Sequence, residues 1–529
     1  MNPNLAARLA DRAAMHPKRA AIVEGFGAAA RRLTFGELDR RVRALAAGLA
    51  ERGIGPGAPV LLFVPMSADL YVALLAVLHR GATAVFVDAW ADRRRLDAAV
   101  RIADPRAFIG TPKAHLLRLI SPAVRRIPVA LSAGRRLLPL RRYESADATA
   151  DAVHVEGSAH ALVTFTTGST GAPKAAARSH DFLWAQHLAL LAHLEPVEGD
   201  VDMPTLPVFV LNNLASGIPS VLPDFDPRRP ADIDPARIHR QMLAERVTTS
   251  SGSPSFYDRL GRWCADTGRR IPLRRLFTGG APVQVPLARV LDAVVDGEPN
   301  VVYGSSEAEP IAGIDARDLL AADEGTRDDP DHPGGICVGR PVTRIALKLL
   351  RPHDGPVVLD GGGWAAWEVG PGEVGEIAVA GDHVLAGYLN DPEAERQNKV
   401  RDGGRVWHRT GDAAWTDAEG RLWLMGRVKE RVRRAGRVWW GGAAEARALN
   451  AAGVRHAAYV GVPDAHLGQR AILVVETPTG ELADVERQAV TRALGPFPLD
   501  EIRPVRRIPR DPRHASKTDT GALRVLLEG

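Results

Sequence analysis

Short apolar runs alternate with amphipathic segments along the first 110 residues, and this alternation constrains the fold more than any other feature of the chain. The tetrapeptide Thr34-Phe35-Gly36-Glu37 has the pattern of a capping box, which predicts a helix that ends before Gly53. The other predicted elements are strands over 60–64, 84–87 and 107–109 and helices over 69–79 and 92–102. Strands that alternate with helices in this way indicate βαβ units and a mainly parallel sheet.

The same alternation of predicted strands and helices returns in the middle of the chain and then changes. Predicted strands over 247–249, 275–278 and 300–303 are each followed by Gly or Ser. Ligand sites in such sheets lie at the carboxyl ends of the strands. Beyond about residue 335 strands and turns dominate, as over 374–379, which predicts a small β-rich subdomain. A chain of 529 residues is too long for one hydrophobic core, so we expect several subdomains of about 100–200 residues each.

The cysteine content and the apolar runs favour a reducing compartment. Cys264 and Cys337 are the two cysteines, and they fit neither a disulfide framework nor a zinc spacing. The N-terminus lacks the apolar core of a signal peptide. The best apolar run, over 70–78, is far shorter than the ~20 residues that a membrane span needs. We therefore expect a cytoplasmic protein with no membrane span.

The basic charge of the chain raises the question of a nucleic-acid partner. The net charge is +5 and the isoelectric point is near 9.4. The basic clusters are scattered, mixed with acids and not interleaved with aromatics, so we expect solvated faces and no nucleic acid. Among the 68 basic residues only seven are lysines. Because a compact ammonium and a planar guanidinium are not interchangeable, these few lysines draw attention to their positions.

A loop rich in glycine and hydroxyl groups follows the apolar run 161–163. It reads Thr164-Phe165-Thr166-Thr167-Gly168-Ser169-Thr170-Gly171-Ala172-Pro173-Lys174. Hydroxyls, backbone N–H groups beside glycine and a single ammonium are the groups that hold a polyphosphate. The G-x-x-G-x-x-K spacing, and Ala175 after the lysine, distinguish it from a Walker A loop. The alternative interpretation is a polar surface turn.

Five further motifs follow this loop in order along the chain. They are T-G-G-A-P at 278–282, Y-G-S-S-E at 303–307, a glycine-tyrosine loop at 381–390, W-H-R-T-G-D at 407–412 and G-R-V-K-E at 426–430. Together with the loop they resemble the adenylate-forming, AMP-producing acyl-activating enzymes, and the resemblance covers essentially the whole chain. One difference is Ser306, which stands where that family has threonine.

The resemblance implies a fold and a division into domains. The implied fold class is α/β, with a large N-terminal domain over 1–425. This domain comprises two stacked, mainly parallel α/β subdomains and a small β-rich subdomain. A small mobile α+β C-terminal lid domain over 426–529 follows it. The hinge is expected near 427–430, with Lys429 at the pivot.

The resemblance also implies which residues bind ATP and Mg²⁺. Tyr303 would pack against adenine, Asp412 would accept hydrogen bonds from the ribose hydroxyls, and Glu307 would bind the metal. Lys517 would bridge the substrate carboxylate and the α-phosphate, which makes Lys174, Glu307 and Lys517 the predicted catalytic residues. The predicted ATP- and AMP-binding residues are Thr166, Thr167, Gly168, Ser169, Thr170, Gly171, Lys174, Gly280, Ala281, Pro282, Tyr303, Gly304, Ser305, Ser306, Asp412 and Arg427.

Departures from the family's usual pattern bear on the second half of the reaction. Ser516 precedes Lys517, where the family usually presents glycine. After Gly436 the chain lacks the proline of many acyl-CoA ligases and has the indoles of Trp439 and Trp440 instead. In the family this loop helps to form the pantetheine tunnel, so the use of coenzyme A is left open.

The segments 107–112, 201–205 and 220–227 look most similar to the olefin β-lactone synthetases. Those relatives adenylate a 3-hydroxy fatty acid and let its own hydroxyl close a four-membered lactone. An intramolecular nucleophile needs no second substrate, because positioning alone supplies a large effective concentration. The predicted acyl-pocket residues are Phe209, Val210, Asn213 and Gly279, with Val210 where many ligases carry a gating histidine.

Three classes of function remain open. The leading hypothesis is an AMP-forming acyl-activating enzyme, with β-lactone formation ahead of coenzyme A thioester formation as its second step. Another is a ligase that loads an acyl group onto a carrier protein. The third is a non-catalytic basic binding module, which the placement of the lysines and glycines disfavours. The expected partners are a small-molecule carboxylic acid and either a thiolase- or ketoreductase-type pathway enzyme or an acyl carrier protein.

Three other patterns do not predict sites. The G-x-G-x-x-G match at 370–375 is followed by a strand where a dinucleotide site needs a helix, so we expect a turn. His187 and His193 are six residues apart and would point about 120° away from each other on one helix, so they cannot share a metal. The acids between 224 and 234 lie among prolines, which indicates capped turns before a helix.

Overall fold

The computed structural model describes residues 2–87, 93–133, 150–167, 173–226, 229, 232–326, 332–510 and 517–528. The helices are α1 Leu5–Met15, α2 Phe35–Ala50, α3 Ala68–His79, α4 Arg93–Ala103, α5 Leu117–Ile120, α6 Pro122–Arg125, α7 His180–Leu194, α8 Pro207–Ser216, α9 Pro235–Ala244, α10 Pro254–Thr267, α11 Val285–Val294, α12 Ala316–Thr326, α13 Pro392–Asn398, α14 Gly441–Ala448, α15 Asp484–Leu494 and α16 Thr520–Glu528.

The strands fall into four sheets. They are β1 Ala20–Glu24, β2 Arg31–Thr34, β3 Pro59–Phe63, β4 Thr83–Phe86, β5 Ala107–Gly110, β6 Val129–Ser132, β7 His160–Thr167, β8 Pro173–Ser179, β9 Asp202–Pro204, β10 Ser220–Leu222, β11 Thr249–Gly252, β12 Arg275–Gly279, β13 Glu298–Ser305, β14 Ala308–Asp315, β15 Ile336–Pro341, β16 Ala346–Leu350, β17 Gly375–Ala380, β18 Lys399–Asp402, β19 Arg405–Thr416, β20 Leu422–Arg427, β21 Val432–Arg434, β22 Arg437–Trp439, β23 His456–Asp464, β24 Gly468–Glu476 and β25 Glu501–Val505.

The helix predicted after the capping box is confirmed. The Thr34 hydroxyl accepts a hydrogen bond from the Glu37 N–H at 3.2 Å, and the Glu37 carboxylate accepts one from the Thr34 N–H at 3.0 Å. This reciprocal pair satisfies two backbone donors at the start of α2. The helix ends at Ala50, three residues before Gly53 adopts a positive φ of 71°.

The first α/β unit is a six-stranded sheet with the order β6-β5-β3-β4-β7-β8. All its pairs are parallel except β7 with β8, so the prediction of a mainly parallel sheet is confirmed. The side chains of β3 alternate between two cores, since Leu61 packs outward with α4 and α6 while Val60 and Leu62 pack inward with α2 and α3. Both faces of this sheet are therefore covered, as parallel sheets require.

The second sheet has fourteen strands and contains both the second α/β unit and the β-rich region. Its path is β16-β17-β19-β20-β15-β14-β13-β12-β11-β9-β10-β1-β2, with β18 added beside β19. The strands from β13 to β1 along this path pair in parallel, and those from β14 to β16 pair antiparallel. The β-rich region predicted beyond residue 335 is thus confirmed, but it continues the sheet instead of forming a separate one.

Helices lie between the two sheets and on the outer face of the larger one. Residues of α2 and α3 pack in one core with Ile22 of β1 and with β3, so these helices are sandwiched between the sheets. On the outer face of the larger sheet α9, α10 and α11 share a core with Met203 and Leu276. This layering matches the predicted stacking of two α/β subdomains.

The part of the chain after β20 forms two small sheets of its own. They are the β21-β22 hairpin and a three-stranded sheet in the order β23-β24-β25. The start of α14 approaches the end of β20 closely, because a Cβ at Gly442 would lie 2.9 Å from the Met425 carbonyl oxygen. Only glycine fits this contact without a shift of the backbone. Within the described ranges, no helix combines the length and apolarity needed to cross a membrane.

Candidate active site

The glycine- and hydroxyl-rich loop joins β7 to β8 in an antiparallel hairpin. Thr166 near the end of β7 pairs in register with Lys174 near the start of β8. Thr167 ends β7, and the remaining predicted loop residues, Gly168, Ser169, Thr170 and Gly171, lie outside the described residues. Two strands thus present the two ends of the loop at one edge of the six-stranded sheet.

Lys174 lies near charged groups that are distant from it in the sequence. Burial and the positive charge of Lys429 lower the pKa of Lys174, while Glu307 and Asp391 oppose that shift. Its Nζ atom is 5.6 Å from the centre of the Tyr388 ring. Lys174, Glu307 and the predicted hinge residue Lys429 therefore meet in one cluster.

A second cluster joins Tyr303, Asp412 and Arg427. The Tyr303 hydroxyl donates to Asp412 Oδ2 at 2.8 Å, and Arg427 donates to Asp412 Oδ1 at 2.7 Å. The charge of Asp412 and its hydrogen bond raise the pKa of Arg427 against partial desolvation, and burial followed by Asp412 raises the pKa of Tyr303. Tyr303 of β13 and Arg427 at the end of β20 are therefore both hydrogen-bonded to Asp412 of β19, so three of the predicted nucleotide-binding residues meet here.

Glycines allow close backbone packing at the ends of β12 and β13, next to this cluster. A Cβ at Gly279 would lie 2.3 Å from the Val302 carbonyl oxygen, and Gly280 adopts a positive φ of 82°. A Cβ at Gly304 would meet the Ala308 carbonyl oxygen at 3.1 Å. The absence of side chains at Gly279 and Gly304 therefore lets the backbone segments at the ends of β12 and β13 pack closely against their neighbours. Ala281 and Pro282 continue the turn after Gly280.

Glu307 lies in the tight turn between β13 and β14. The Ser305 hydroxyl accepts the N–H of Glu307 at 3.3 Å and that of Ala308 at 3.2 Å, which fixes the turn. The Tyr388 hydroxyl donates to Glu307 Oε1 at 3.1 Å. Mg²⁺ accepts one or two carboxylates together with phosphate oxygens and waters, so a partly exposed carboxylate facing Lys174 fits that ion.

The C-terminal part of the chain brings Lys517 to the same region. Burial raises the pKa of Glu309 to about 7, and the positive charges of Arg178 and Lys517 oppose that rise. Lys517 therefore lies within electrostatic reach of a carboxyl group two residues from Glu307. Thr520 of α16 donates to Glu430 Oε1 at 3.2 Å, which ties this segment to the residues after β20.

The structure adds residues that the motifs did not single out. Arg178 donates to the Thr164 hydroxyl at 2.8 Å and to the Ser306 carbonyl oxygen at 2.6 Å. It lies four residues after Lys174 on β8. Because side chains of a strand alternate between its two faces, this even separation places both residues on the same face, and that was the signal available in the sequence. The sequence distinguished Lys399 only as one of seven lysines.

Lys399 contacts the loop that carries Tyr388. Its Nζ atom lies 5.2 Å from the centre of the Tyr388 ring and donates to the Leu385 carbonyl oxygen. Burial lowers the pKa of Lys399 to about 7, while Glu307 and Glu395 favour the charged form. Tyr388 is therefore flanked by two ammonium groups, those of Lys174 and Lys399.

The predicted acyl-pocket residues lie on two elements. Val210 belongs to α8 and not to a strand-end loop, because Pro207 starts the helix directly after a turn. Val210 packs into the core with Leu214, and the Asn213 amide donates to Asp202 Oδ2 at 2.8 Å and to Ser220 Oγ at 3.1 Å. Phe209 is buried as well. A role for Phe209, Val210, Asn213 and Gly279 in the acyl pocket stays a prediction.

The two indoles after Gly436 pack within the protein. Trp440 precedes α14 and is buried in the core, and the Trp439 ring lies 5.7 Å from that of Phe497. The expectation that both indoles lie near where a pantetheine arm would enter stays a prediction. Within the described ranges no group of three or more His, Cys, Asp or Glu could hold a metal ion.

The sequence model of the AMP-binding enzymes matches residues 9–389. The chain belongs to the AMP-binding enzyme family. It is an AMP-forming, acyl-activating ligase of a family that binds ATP.

Relatives and solved structures match along nearly the whole chain. Olefin β-lactone synthetase of Stenotrophomonas maltophilia is 35% identical over 516 residues, which is 93% of this chain and 91% of that protein. Feruloyl-CoA synthase of an Amycolatopsis species is 30% identical over 483 residues, covering 89% and 88%. The amide bond synthetase McbA of Marinactinospora thermotolerans shares 25% identity and a TM-score of 0.79 over 99% of both chains. The predicted fold class is thereby confirmed.

Proposed function

We propose that the protein activates a 3-hydroxy fatty acid as an acyl-adenylate and then closes that intermediate to a β-lactone. The observation that carries the proposal is the 35% identity with an olefin β-lactone synthetase across 93% of the chain. The departures around Lys517, Gly436 and Val210 point in the same direction.

In the first step a carboxylate oxygen of the acid attacks the α-phosphorus of ATP. The bond from that phosphorus to the bridging oxygen of pyrophosphate breaks, which leaves acyl-AMP and pyrophosphate. The protein contributes little covalent chemistry, so its work is positioning and the neutralisation of developing charge. Lys174 would hold the β- and γ-phosphates with the hairpin loop. Mg²⁺, held by Glu307, would supply further neutralisation of pyrophosphate when bound.

Lys517 would act at the α-phosphate in that step. The Lys517 ammonium is near Glu309 and Arg178, on the side of the site where β13 turns into β14. There it would bridge the substrate carboxylate and the α-phosphate oxygens. The residues 426–529 would carry it as a mobile lid that pivots near Lys429, a hinge-type switch between catalytic states.

In the second step the 3-hydroxyl oxygen attacks the acyl carbon. The bond from that carbon to the phosphate oxygen of AMP breaks, the hydroxyl proton leaves, and a four-membered ring forms. The acid thus loses one water in total, and ATP yields AMP and pyrophosphate. Because nucleophile and electrophile are in one molecule, no second substrate must enter.

Mass spectrometry of the products tests this function. Purified protein is incubated with ATP, Mg²⁺ and a panel of 3-hydroxy acids and their unsubstituted counterparts, with and without coenzyme A. We expect AMP and a product lighter than the 3-hydroxy acid by one water, at a rate indifferent to coenzyme A. The unsubstituted acid should stop at bound acyl-AMP.

A second candidate is thioester formation with coenzyme A. The identity of 30% with a feruloyl-CoA synthase over most of both chains favours it. This function replaces the lactone if the unsubstituted acid turns over freely and only when coenzyme A is present.

A further inference from the structure

The turn that follows β16 carries a carboxylate held between two arginines. The Asp354 Oδ1 atom accepts a hydrogen bond from Arg431 at 2.8 Å, and its Oδ2 atom accepts one from Arg433. Burial opposes the ionisation of Asp354, but the hydrogen bonds from both arginines prevail and lower its pKa. These three side chains, which we call the Asp354 clamp, join the β-rich region to β21 and the residue before it.

One arginine of the Asp354 clamp is withdrawn from water. Only 6% of the Arg431 side chain is exposed, and its guanidinium also donates to the Val428 carbonyl oxygen. A buried charge that loses its partner is costly, so this pair keeps its geometry more firmly than an exposed pair would. Arg433 is exposed and supplies the second bond to the carboxylate.

The turn that presents Asp354 is itself fixed from β19. Arg409 donates to the carbonyl oxygens of His353 at 2.7 Å and of Gly355 at 2.6 Å, on either side of Asp354. The same guanidinium is paired with the buried Glu376 of β17. The position of Asp354 is therefore set by the strand that also carries one of the predicted nucleotide-binding residues.

Two hydrogen bonds connect the clamp with the rest of the C-terminal part. The backbone N–H of Arg433 donates to Gln469 of β24 at 2.6 Å. Glu430 immediately precedes the clamp's first arginine, and its carboxylate accepts a hydrogen bond from the Thr520 hydroxyl at 3.2 Å. Thr520 begins α16 three residues after Lys517. The course of residues 430–433 therefore affects where the described segment 517–528 lies.

Ion pairs hold the backbone before and after Lys429. The pair before it joins Arg427 to β19, and the pairs after it are those of the Asp354 clamp. A rotation about Lys429 can keep the first pair, but it moves the arginines of the clamp away from Asp354. The clamp is therefore specific to the observed orientation, in which Lys517 lies near the strand that follows the turn between β13 and β14.

We propose that Asp354 is a positioning residue for acyl-AMP formation, which acts through Arg431 and Arg433 to hold Lys517 in place. In this role Asp354 contacts other protein groups and not the substrates. The inference rests on the proposed function, because it needs Lys517 at the α-phosphate and a pivot near Lys429. The clamp should matter in the first step alone, since the orientation that it stabilises is the one that brings Lys517 to the site.

Single-turnover kinetics of Asp354→Ala test this role. We expect the rate constant of pyrophosphate release at saturating ATP and acid to fall about tenfold, within the usual range of coupling between sites. The KM for ATP should change little, because no nucleotide contact is lost. Asp354→Glu keeps the charge and should recover most of the rate. A wild-type rate for Asp354→Ala overturns the proposal, and Asp382→Ala, at another exposed aspartate, is the matched control.

Arg433→Ala supplies the same test if Asp354→Ala does not fold. The Arg433 side chain is exposed, so its removal disturbs folding little, and we expect the same kinetic change at about threefold. Arg437→Ala, at an exposed arginine of β22, is its control. An Arg433 variant that is no slower than this control contradicts the role of the clamp.

A double-mutant cycle shows whether Asp354 acts through Lys517. If it does, Asp354→Ala slows the wild type but has no further effect on Lys517→Ala, because the group to be positioned is already absent. If the losses multiply in the double variant, Asp354 supports the site by another route and the proposal is overturned.

The second step supplies a readout that a general structural defect would also lower. The acyl-AMP of a 3-hydroxy acid is supplied directly, and release of AMP is measured with and without coenzyme A. We expect Asp354→Ala to release AMP at least as fast as the wild type, since the clamp stabilises only the orientation of the first step. A loss equal to that in the first step means damage to the whole site and overturns the proposal.

The failure of this inference and the failure of the proposed function are distinguishable. If Lys517→Ala forms acyl-AMP at a near-normal rate, the proposed role of Lys517 is wrong, and Asp354 has no catalytic group to position. If Lys517→Ala is slow and Asp354→Ala is not, the proposed function stands and the positioning role alone is wrong.

Discussion

Asp412 is bonded on both carboxylate oxygens, to Tyr303 and to Arg427. Asp412→Ala should raise the KM for ATP strongly with little change in kcat, because ribose contacts bind the ground state and the transition state alike. Steady-state kinetics with varied ATP measures this. A change confined to the KM of the acid would mean that the nucleotide binds in another cleft.

Glu307 should show the opposite kinetic signature. Glu307→Ala is expected to lower kcat and to raise the Mg²⁺ concentration for half-maximal rate, since the metal neutralises charge that grows during transfer. Tyr388→Phe removes only the hydrogen bond to Glu307 and should shift the Mg²⁺ requirement in the same direction by less. An unaltered Mg²⁺ dependence of both variants contradicts the assignment.

The proposed role of Lys517 is to stabilise negative charge that develops in the transition state. Lys517→Ala should lower the rate of acyl-AMP formation by about 10²–10³ while ATP binding and thermal stability stay near wild type. Lys113→Ala, at another exposed lysine, is the matched control. Near-normal pyrophosphate release by the Lys517 variant would exclude the role.

The meeting of the three residues proposed to bind the nucleotide could be predicted because each belongs to a contiguous motif, which is recognisable without knowledge of the fold. Tyr303, Asp412 and Arg427 were each assigned this way. Arg178, Lys399 and the Asp354 clamp could not, because their partners are distant in sequence and only packing brings them together. A lone lysine or arginine carries no signal of its partner.

At the scale of elements, Asp202 joins β9 to α8 and β11. Its carboxylate accepts hydrogen bonds from Asn213 and from Thr249, each at 2.8 Å, and burial raises its pKa to about 6 despite both. Because the folded state then binds the proton more tightly than the unfolded state, the free energy of unfolding falls as pH rises through about 6.

A variant without this carboxylate should show a weaker pH dependence. A pKa raised from 3.8 to about 6 corresponds to about 3 kcal/mol over the full range, of which about 1 to 1.5 kcal/mol falls between pH 5 and pH 7.5. Asp202→Asn should therefore gain stability relative to the wild type between these two pH values. Thermal unfolding of both proteins at pH 5 and pH 7.5 measures the difference, and parallel pH profiles would contradict the assignment.

Elements with strong periodicity were predicted correctly and irregular boundaries were not. The capping box fixed the start of α2, and alternation located β3, β4 and β5. Residues 247–249 were predicted as a strand, but β11 begins at Thr249. The segment at α8 is short and mostly apolar, so its pattern could not distinguish a helix from a loop beside a strand.

At the scale of the whole molecule, the contact of Gly442 with the end of β20 sets how the C-terminal part docks. Gly442→Val would drive a side chain into the Met425 carbonyl and the Gly426 N–H, which lie 2.9 and 3.0 Å from a Cβ there. We expect acyl-AMP formation to slow about tenfold or more, because Lys517 is then held less often in place, with ATP binding retained. Gly404→Val, at a turn with open space, is the control.

The arrangement of the strands into sheets was the feature least predictable from the sequence. Local alternation identifies βαβ units but carries no information on which strands meet across long separations. Nothing in the sequence indicated that β14 and β15 join the parallel and antiparallel strands into one sheet of fourteen. The placement of residues 426–529 depends on close contacts such as that of Gly442. The periodicity of the sequence does not predict such contacts.

Four of the seven lysines, Lys174, Lys399, Lys429 and Lys517, cluster around the proposed nucleotide site. Amine-directed covalent labelling therefore samples the active site far more densely than it samples the rest of the surface. Peptide mapping after brief exposure to an acylating reagent, with and without ATP, would report nucleotide occupancy and the position of Lys517 without any substitution. The near-exclusive use of arginine elsewhere makes this chain a favourable subject for such footprinting.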